Sequence, residues 1–507
     1  MKLKRLKVLS TNEIEAIHNS TVKLLSNIGI KVESPEARDI FLRNGAELDK
    51  TEQGNFIKIT EDIFNEAIKK VPKSFSIYGP DGSNQTKINT SNSIFSTFGA
   101  AVNIFEPTRK KKIRRSKLED AVKHIQVVNS LENISCCHLD IWPYDVPFME
   151  LHCHTLREWA KNSFKPYGMS CYGRTASLDM INIASLIVGG KEELIKKPRL
   201  IGVFNPTSPL TLPHLLLNGL IVFAKYGQPF NICSAASAGS TAPVTLGGLL
   251  VQTNAEVLSS IILTQLINPG TPVLYGSTNT IMDPQTGNSA YGSMEMGLIS
   301  IAAAQLAHFY GIPSKGSGAL TDSKMFDIQN GYERVLTLMC AANAGHNYIT
   351  CAGTYETSLS AALELLVIDN DIIGSIKRGI KGIRLDNEAL AIDQILRAAE
   401  TGKNFLTMKH TVKNVRKEIF VPKISNRERR TSWIREGSLD IMANAKRKVD
   451  SLIKSYKRPE LDLEIEKKIK EYTKKVASRT LEDYRRSEGM EDKNTSIEIG
   501  GINLENQ

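Results

Sequence analysis

From residue 93 to about residue 405 the chain repeats one unit eight times: an apolar run of strand length, a loop, then a helix. SIFSTFGAAVNIF precedes KLEDAVKHIQVVNSL, ISCCHLDIWP precedes VPFMELHCHTLREWAKN, and KPYGMSCYG precedes TASLDMINIASLIVGG. PRLIGVFNP, PFNICSAAS, TPVLYGSTN, IPSKGSGAL and NYITCAGTY open the remaining five units. Eight such units closing in order predict a (β/α)8 barrel of the TIM type with right-handed crossovers. The strand runs are continuously apolar, as parallel strands buried on both faces require. Three helices end in YG-QP, NPG-TP and YG-IP; glycine supplies a left-handed cap and proline stops the helix. A doubly wound open sheet would need a topological switch point and a phosphate fingerprint, and no G-x-G-x-x-G or Walker motif follows any strand.

Two flanks lie outside the repeat. Residues 1–90 predict an N-terminal α+β unit, residues 91–405 the barrel, and residues 406–507 a C-terminal helical extension. Ser10-Thr11-Asn12-Glu13 caps the first helix, and FIKIT (Phe56–Thr60) alternates like a strand. The HTVKNVRKEIFVPKISNRERRTSWIREG stretch reads as extended and basic. Leu439–Ser455 and Glu460–Arg486 read as charge-rich helices that pack on the barrel or on a second subunit, and the polar tail beyond them as frayed.

The net charge of +10 is concentrated in KKKIRR (Lys110–Arg115) and in the C-terminal region. No nucleic-acid module or row of stacking aromatics accompanies it, so nucleic-acid binding is not expected. The seven cysteines are scattered and odd in number, which predicts reduced thiols and a cytoplasmic protein. No signal segment and no bilayer-spanning run is read, and no membrane association is expected.

Barrels of this kind carry function on the loops at the carboxyl ends of their strands. The candidates are therefore Phe98 and Asn103; Asp140, Trp142 and Tyr144; Tyr172 and Arg174; Asn205; Ser237, Gly239, Ser240 and Thr241; Ser277, Asn279 and Asp283; Ser317, Thr321 and Asp322; and Thr354, Tyr355 and Glu356. Aromatic and acidic residues dominate, which suits a cationic ligand. Any one aromatic is equally a core residue, and Asp283 and Asp322 are equally helix caps. Glu256 and Glu295 lie on helices and read as structural. His152, Cys153 and His154, with Cys136, Cys137 and Cys171 nearby in sequence, are the residue types that bind zinc. They lack a compact ligand spacing, so no metal is expected.

The small-residue blocks SAASAGSTAPVTLGG (Ser234–Gly248), NPGTPVLYGSTNTIMDPQTG (Asn268–Gly287) and GSGALTDSKMFDIQNGYE (Gly316–Glu333), the GSMEMGLISIAAAQLAHFYGIPS run and the N-terminal LSTNEIEAIHNSTVKLLSNIGIKVESPEA together resemble the trimethylamine methyltransferase family over nearly the whole chain. The resemblance implies a barrel that moves a methyl group from a methylated amine to the cobalt of a separate small corrinoid protein. No permanently bound cofactor is then expected; the partner supplies the corrinoid. The corrin would dock over Ser237, Gly239, Ser240, Thr241, Ser277, Asn279, Ser317 and Gly318. The family's archetype carries pyrrolysine, and this sequence has no non-standard residue. Members without it resemble demethylases of quaternary amines such as glycine betaine. Loss of a neutral tertiary amine from a quaternary ammonium needs no general acid. Trp142, Tyr172, Tyr355 and Tyr291 are expected to form a cage, with Phe98 and Asn205 beside it. Asp140, Asp283, Asp322 or Glu356 would add charge, the last three as the catalytic candidates, and Arg174, His214 or backbone amides of the serine-rich loop would take a substrate carboxylate. The rival readings are a trimethylamine:corrinoid methyltransferase, a zinc-activated thiol or alcohol methyltransferase, and a barrel that binds methylated amines without turnover. A homo-oligomer is expected.

Overall fold

The computed structural model describes residues 4–106 and 112–490, with the short strand pair Glu498–Ile499 and Ile502–Asn503. Lys110 and Lys111 of the basic run, and most of the polar tail, lie outside the described residues. The eight strands are β1 (Ile94–Phe95), β2 (Cys137–His138), β3 (Tyr167–Ser170), β4 (Leu200–Phe204), β5 (Phe230–Ser234), β6 (Val273–Ser277), β7 (Ser314–Ser317) and β8 (Tyr348–Thr350). They pair in parallel in the order β1-β8-β7-β6-β5-β4-β3-β2. A parallel bridge between Ser96 and Cys136 and a 2.7 Å bond from the Ser135 N–H to the Phe95 carbonyl join β1 to β2 and close the barrel. The expected (β/α)8 fold is thus present, and each strand falls inside its predicted run. Gly227, Gly270 and Gly311, the three helix-ending glycines, have φ of 60°, 86° and 68°, the left-handed cap that the Gly-Pro junctions called for.

The first unit differs from expectation. SIFSTFGAAVNIF is not one strand: β1 ends at Phe95, and Asn103–Glu106 leaves the barrel to pair with Lys112–Arg115. Ser360–Ala361 and Thr354–Tyr355 extend this ribbon to four strands across the loops after β1 and β8. At the opposite end, the hairpin Ser74–Tyr78/Gln85–Asn89 plugs the barrel, where Phe75, Ile77 and Ile88 pack against Cys136, Ile201, Leu274 and Tyr348.

Helix Leu246–Ile267 shows why periodicity fails in this fold. It has 22 residues and a mean hydropathy of 1.4, enough by length and composition to cross a bilayer, contrary to the sequence reading. Yet 78% of its apolar window is buried inside the protein. Helices Thr11–Asn27, Pro35–Arg43 and Glu61–Lys69 of the N-terminal unit pack on its outer side, with Asn254 Nδ2 donating to Thr21 Oγ1 at 2.9 Å. A helix covered on every side has no polar face. Its Glu256 is fully buried and accepts hydrogen bonds from Ser208, Ser234, Gln252 and the Leu210 N–H, the structural role expected of it.

The C-terminal region lies on the barrel exterior. The stretch read as extended contains helices Lys409–Glu418 and Arg430–Arg435. Ile441–Lys454 packs on helices Leu363–Ile380 and Leu118–Ser130, and Leu463–Ala477 on Arg174–Val188 and Leu151–Asn162. The last expected helix breaks after Ala477, because Thr480 starts a new one with its own capping box to Asp483.

Asp179, 1% exposed, rivets this extension to the barrel. It accepts from Tyr472 Oη at 2.7 Å, Arg479 Nη2 at 2.8 Å and His152 Nε2 at 3.1 Å. Burial raises its pKa, but the His152 and Arg479 hydrogen bonds outweigh burial and hold the carboxyl at about 2. A depressed carboxylate pKa stabilises the fold above its unfolded value, near pH 4, and that contribution disappears as pH falls towards 2. It is worth roughly 2 kcal/mol. Acid unfolding of wild type should therefore contain a component between about pH 4 and pH 2 that Asp179→Asn lacks, read by far-UV circular dichroism.

Candidate functional site

The carboxyl ends of β5, β6 and β7 surround one buried cation. Lys315, on β7, is fully buried and points into the barrel. Its Nζ donates to Thr278 Oγ1 at 2.6 Å, to Ser317 Oγ at 2.8 Å and to Cys233 Sγ at 3.4 Å. Thr278 Oγ1 and Ser317 Oγ are themselves 2.9 Å apart. The Phe98 ring lies 5.4 Å from the ammonium. Phe98 and Tyr291, both partly exposed, pack on Met296, Leu320 and Cys351. Burial pushes the Tyr291 phenol up to about 12, so it stays protonated. Below Phe98, His138 stands edge-on with centroids 5.5 Å apart. Its Nε2 is 2.6 Å from Tyr348 Oη, which donates to Ser96 Oγ at 3.0 Å. Burial, then the charge of Lys315, pull His138 down to about 3, which leaves it neutral. Lys315 is absent from the sequence candidates; the signal was a lysine inside a strand of small residues, IPSKGSG, where a charge has no structural reason to be.

The expected four-aromatic cage does not assemble, because its members sit in three separate clusters. Trp142 stacks on Phe148 at 5.9 Å, and Tyr172 leans on Phe148 at 5.4 Å. Trp142 and Phe148 line a 730 Å³ cavity with Tyr144, Met149, Leu151 and Leu481. Tyr355 packs instead with Phe105 and Phe326, at 5.8 and 5.3 Å. Only Tyr291 joins Phe98 near Lys315.

The polar candidates also divide. Asp322 is half-buried and accepts from the consecutive N–H groups of Tyr291 and Gly292 at 3.0 and 2.8 Å. Burial raises its pKa against these two bonds. Asp283 closes a surface turn, accepting from Thr286 Oγ1 at 2.7 Å and the Gln285 N–H at 3.1 Å, bonds that lower its pKa. Neither aspartate caps the next helix; Ser293 and Asp327 do. Glu356 accepts from Ser360 Oγ at 2.7 Å. Arg174 is held by Glu36, its N–H donates to Glu488 Oε2 at 2.8 Å, and His214 Nε2 lies 2.6 Å from the Glu488 carbonyl. Both residues tie the N- and C-terminal regions to the barrel wall and are unavailable to a substrate carboxylate. Asn205 Nδ2 donates to the Cys233 carbonyl at 2.6 Å, which orders the loop after β4.

The small-residue loops form a shared lip. Ser237–Ala238 pairs in parallel with Thr280–Ile281. Asn279 Oδ1 accepts the Ala236 N–H at 2.8 Å, and Asn279 Nδ2 donates to Ser277 Oγ at 3.0 Å. Ser277, Ser317 and Asn279 are buried, whereas Gly239, Ser240 and Thr241 are exposed. Gly239 has φ 87°, which the tight return to Ala242 needs. Gly318 sits where a Cβ would lie 2.9 Å from Leu338 Cδ2, so packing of the next helix demands glycine there. The loops and helix starts that follow β5 to β8 carry exposed apolar side chains: Val244, which packs beside Gly239, and Met294, Met325, Ile328, Tyr332 and Leu359.

Three of the zinc candidates are engaged elsewhere: His152 with Asp179, His154 with Glu150 at 3.3 Å, and Cys136 in the barrel floor. Among the described residues the metal-type grouping is a different one, His124, Cys137 and Asp140, with ligand atoms within 4.8 Å of one another. Burial pushes the Asp140 carboxyl and the Cys137 thiol well up and the His124 imidazole down to about 3. The imidazole and the thiol are thereby neutral, burial disfavours the charged form of the Asp140 carboxyl, and His124 Nε2 is 3.6 Å from Asp140 Oδ2. Asp140, expected to face substrate, is 1% exposed.

These features define a (β/α)8 barrel with a cation at the mouth of its lumen and an apolar, small-residue rim over β5 to β8. The trimethylamine methyltransferase family model matches residues 1–480, and the chain belongs to that family and is a methyltransferase. It is 33% identical over 475 residues to a glycine betaine methyltransferase of Desulfitobacterium hafniense, covering 93% of this chain and 97% of the relative. It is 35% identical over 465 residues to trimethylamine methyltransferase MttB2 of Methanosarcina mazei, covering 91% and 93%. The crystal structure of the hydroxylamine MtmB complex shares the fold, with a TM-score of 0.50 at 12% identity over 88% of this chain and 89% of that one.

Proposed function

We propose that the protein transfers a methyl group from a quaternary amine to the Co(I) of a corrinoid carried by a separate small protein. The observation that carries this reading is the rim. Six exposed large apolar side chains follow β5, β6, β7 and β8 at the carboxyl end of the barrel, where Gly239, Ser240 and Thr241 are also exposed, and exposed apolar surface of this kind marks protein-binding faces. The lip lets a broad flat group approach the backbone closely.

The donor chemistry follows from the acids. Asp322 is committed to two backbone N–H groups, Glu356 to Ser360, and Asp283 to its own turn. A quaternary ammonium needs none of them as an acid. The acceptor supplies the electron pair of the new bond to the methyl carbon, the C–N pair stays on nitrogen, and a neutral tertiary amine leaves. The protein's part is to orient the C–N bond, exclude water and match the donor's charge. Phe98 and Tyr291 offer aromatic faces to the ammonium.

The test is anaerobic incubation with Co(I) corrinoid and a panel of quaternary amines, followed spectrally. The expected result is methylated cobalt from at least one quaternary amine and none from trimethylamine. Turnover of trimethylamine alone overturns the donor class, and binding with no methyl transfer overturns the reading.

A further inference from the structure

We propose that Lys315 is an anion-binding, specificity-determining residue that selects donors carrying a carboxylate, so that the preferred quaternary amine is a zwitterion; this rests on the donor reading above. Lys315 is fully buried, and an ammonium removed from water is costly unless an anion compensates it. Among the described residues no carboxylate makes an ion pair with it. Its hydrogen-bond partners are two hydroxyls and one sulfur. The charges and titratable groups that face it do not compensate it either: burial raises the Cys351 thiol, and His138 is neutral. Sulfur is a weak acceptor, so one of the three ammonium N–H donors is poorly served. A carboxylate oxygen in place of that contact would supply both the missing acceptor and the missing charge.

The position also makes chemical sense. Nζ is held by Thr278, Ser317 and Cys233, 5.4 Å from the ring of Phe98, which is partly exposed and packs in one cluster with the partly exposed Tyr291. A donor anchored there by its carboxylate presents its methylated nitrogen outward, towards the rim. Fixing one end of a short zwitterion converts binding energy into orientation of the bond to be broken. The arrangement also suits the product, because loss of the methyl group leaves a tertiary amine that still carries the carboxylate.

Calorimetric titration without any corrinoid separates this inference from the methyl-transfer reading. The probes are glycine betaine and longer-chain carboxylated trimethylammonium compounds, set against choline and tetramethylammonium. Wild type is expected to bind at least one carboxylated probe about tenfold or more tightly than choline. Lys315→Met should weaken that binding by about 10- to 100-fold while leaving choline and tetramethylammonium within about threefold, and Lys315→Arg should recover part of the loss. Equal losses for charged and uncharged probes, or no loss, overturn the proposal. If Lys315→Met does not fold, the wild-type ratio decides: no carboxylated probe binding more tightly than choline overturns it. Selective binding with no methylated cobalt would sink the methyl-transfer reading and leave the role of Lys315 intact.

Discussion

Arg334→Met is expected to lower the unfolding free energy by about 3–5 kcal/mol, the cost of leaving one member of a buried ion pair uncompensated. Arg334 and Asp369 are 1% and 0% exposed, with Nη1 to Oδ2 at 2.8 Å. The guanidinium does more than neutralise Asp369. Its Nε donates to Asn330 Oδ1 at 2.9 Å, Nη1 to the Ala319 carbonyl at 2.7 Å, and Nη2 to the Thr354 carbonyl. Asp369 in turn accepts the Gly353 N–H at 2.7 Å. One ion pair therefore ties the loops after β7 and β8 to helices Ile328–Ala344 and Leu363–Ile380.

Those loops hold strained backbone. Ala319 and Cys351 are non-glycine residues at φ 54° and 81°, each costing on the order of 1–3 kcal/mol. They keep those angles only while their surroundings fix them. The loss should appear as a shift in the denaturant midpoint at unchanged slope. Arg334→Met combined with Asp369→Leu should recover part of the stability, because the orphaned charge is gone. If the single variant unfolds within about 1 kcal/mol of wild type, the pair is not what holds the two loops together.

The barrel was legible because its signals are local. Each strand is a short apolar run, and each helix end carries its own glycine and proline. The small sheet over the mouth was hidden, because Asn103–Glu106 reads as the continuation of β1 and only its pairing with Ser360–Ala361 separates the two. The bilayer-length hydropathy of Leu246–Ile267 likewise becomes a core property only once three N-terminal helices cover it. In the site, a strand-end rule places residues on loops but cannot group them. Trp142, Tyr172, Tyr291 and Tyr355 all follow strands, and which ring meets which depends on helices such as Phe148–Glu150 that a strand-end rule does not consult. Arg174 was the obvious cation by position, yet Glu36, far away in sequence, claims it. Lys315 was inside a strand rather than after one, so the same rule passed over it.

Asp283 and Asp322 were indistinguishable as sequence, and their substitutions should separate them sharply. Asp322→Ala is expected to lower kcat/KM by about 10²-fold, the scale on which small displacements of a positioning group are felt. Its carboxylate spans the N–H groups of Tyr291 and Gly292 and so sets where the Tyr291 ring stands beside Phe98. The loop behind it is equally fixed: the Asp322 N–H and Thr321 Oγ1 both donate to Glu333 Oε2, at 2.9 and 2.6 Å. A Cβ on Gly292 would lie 2.4 Å from the Glu333 carboxylate, so this segment has no room to slide. Removing the Asp322 carboxylate leaves two N–H groups without their acceptor, at about 1–3 kcal/mol of stability, and frees Tyr291 to move. Asp322→Asn keeps one acceptor and should fall between. Asp283 bonds only within its own surface turn, and Asp283→Ala should leave donor turnover and thermal stability unchanged. Measuring kcat and KM separately completes the argument. A displaced Tyr291 weakens the hold on the donor's ammonium in the ground state and the transition state, so KM should rise along with any fall in kcat. A loss confined to kcat at unchanged KM would instead make Asp322 a participant in the chemical step and overturn its assignment as a positioning residue.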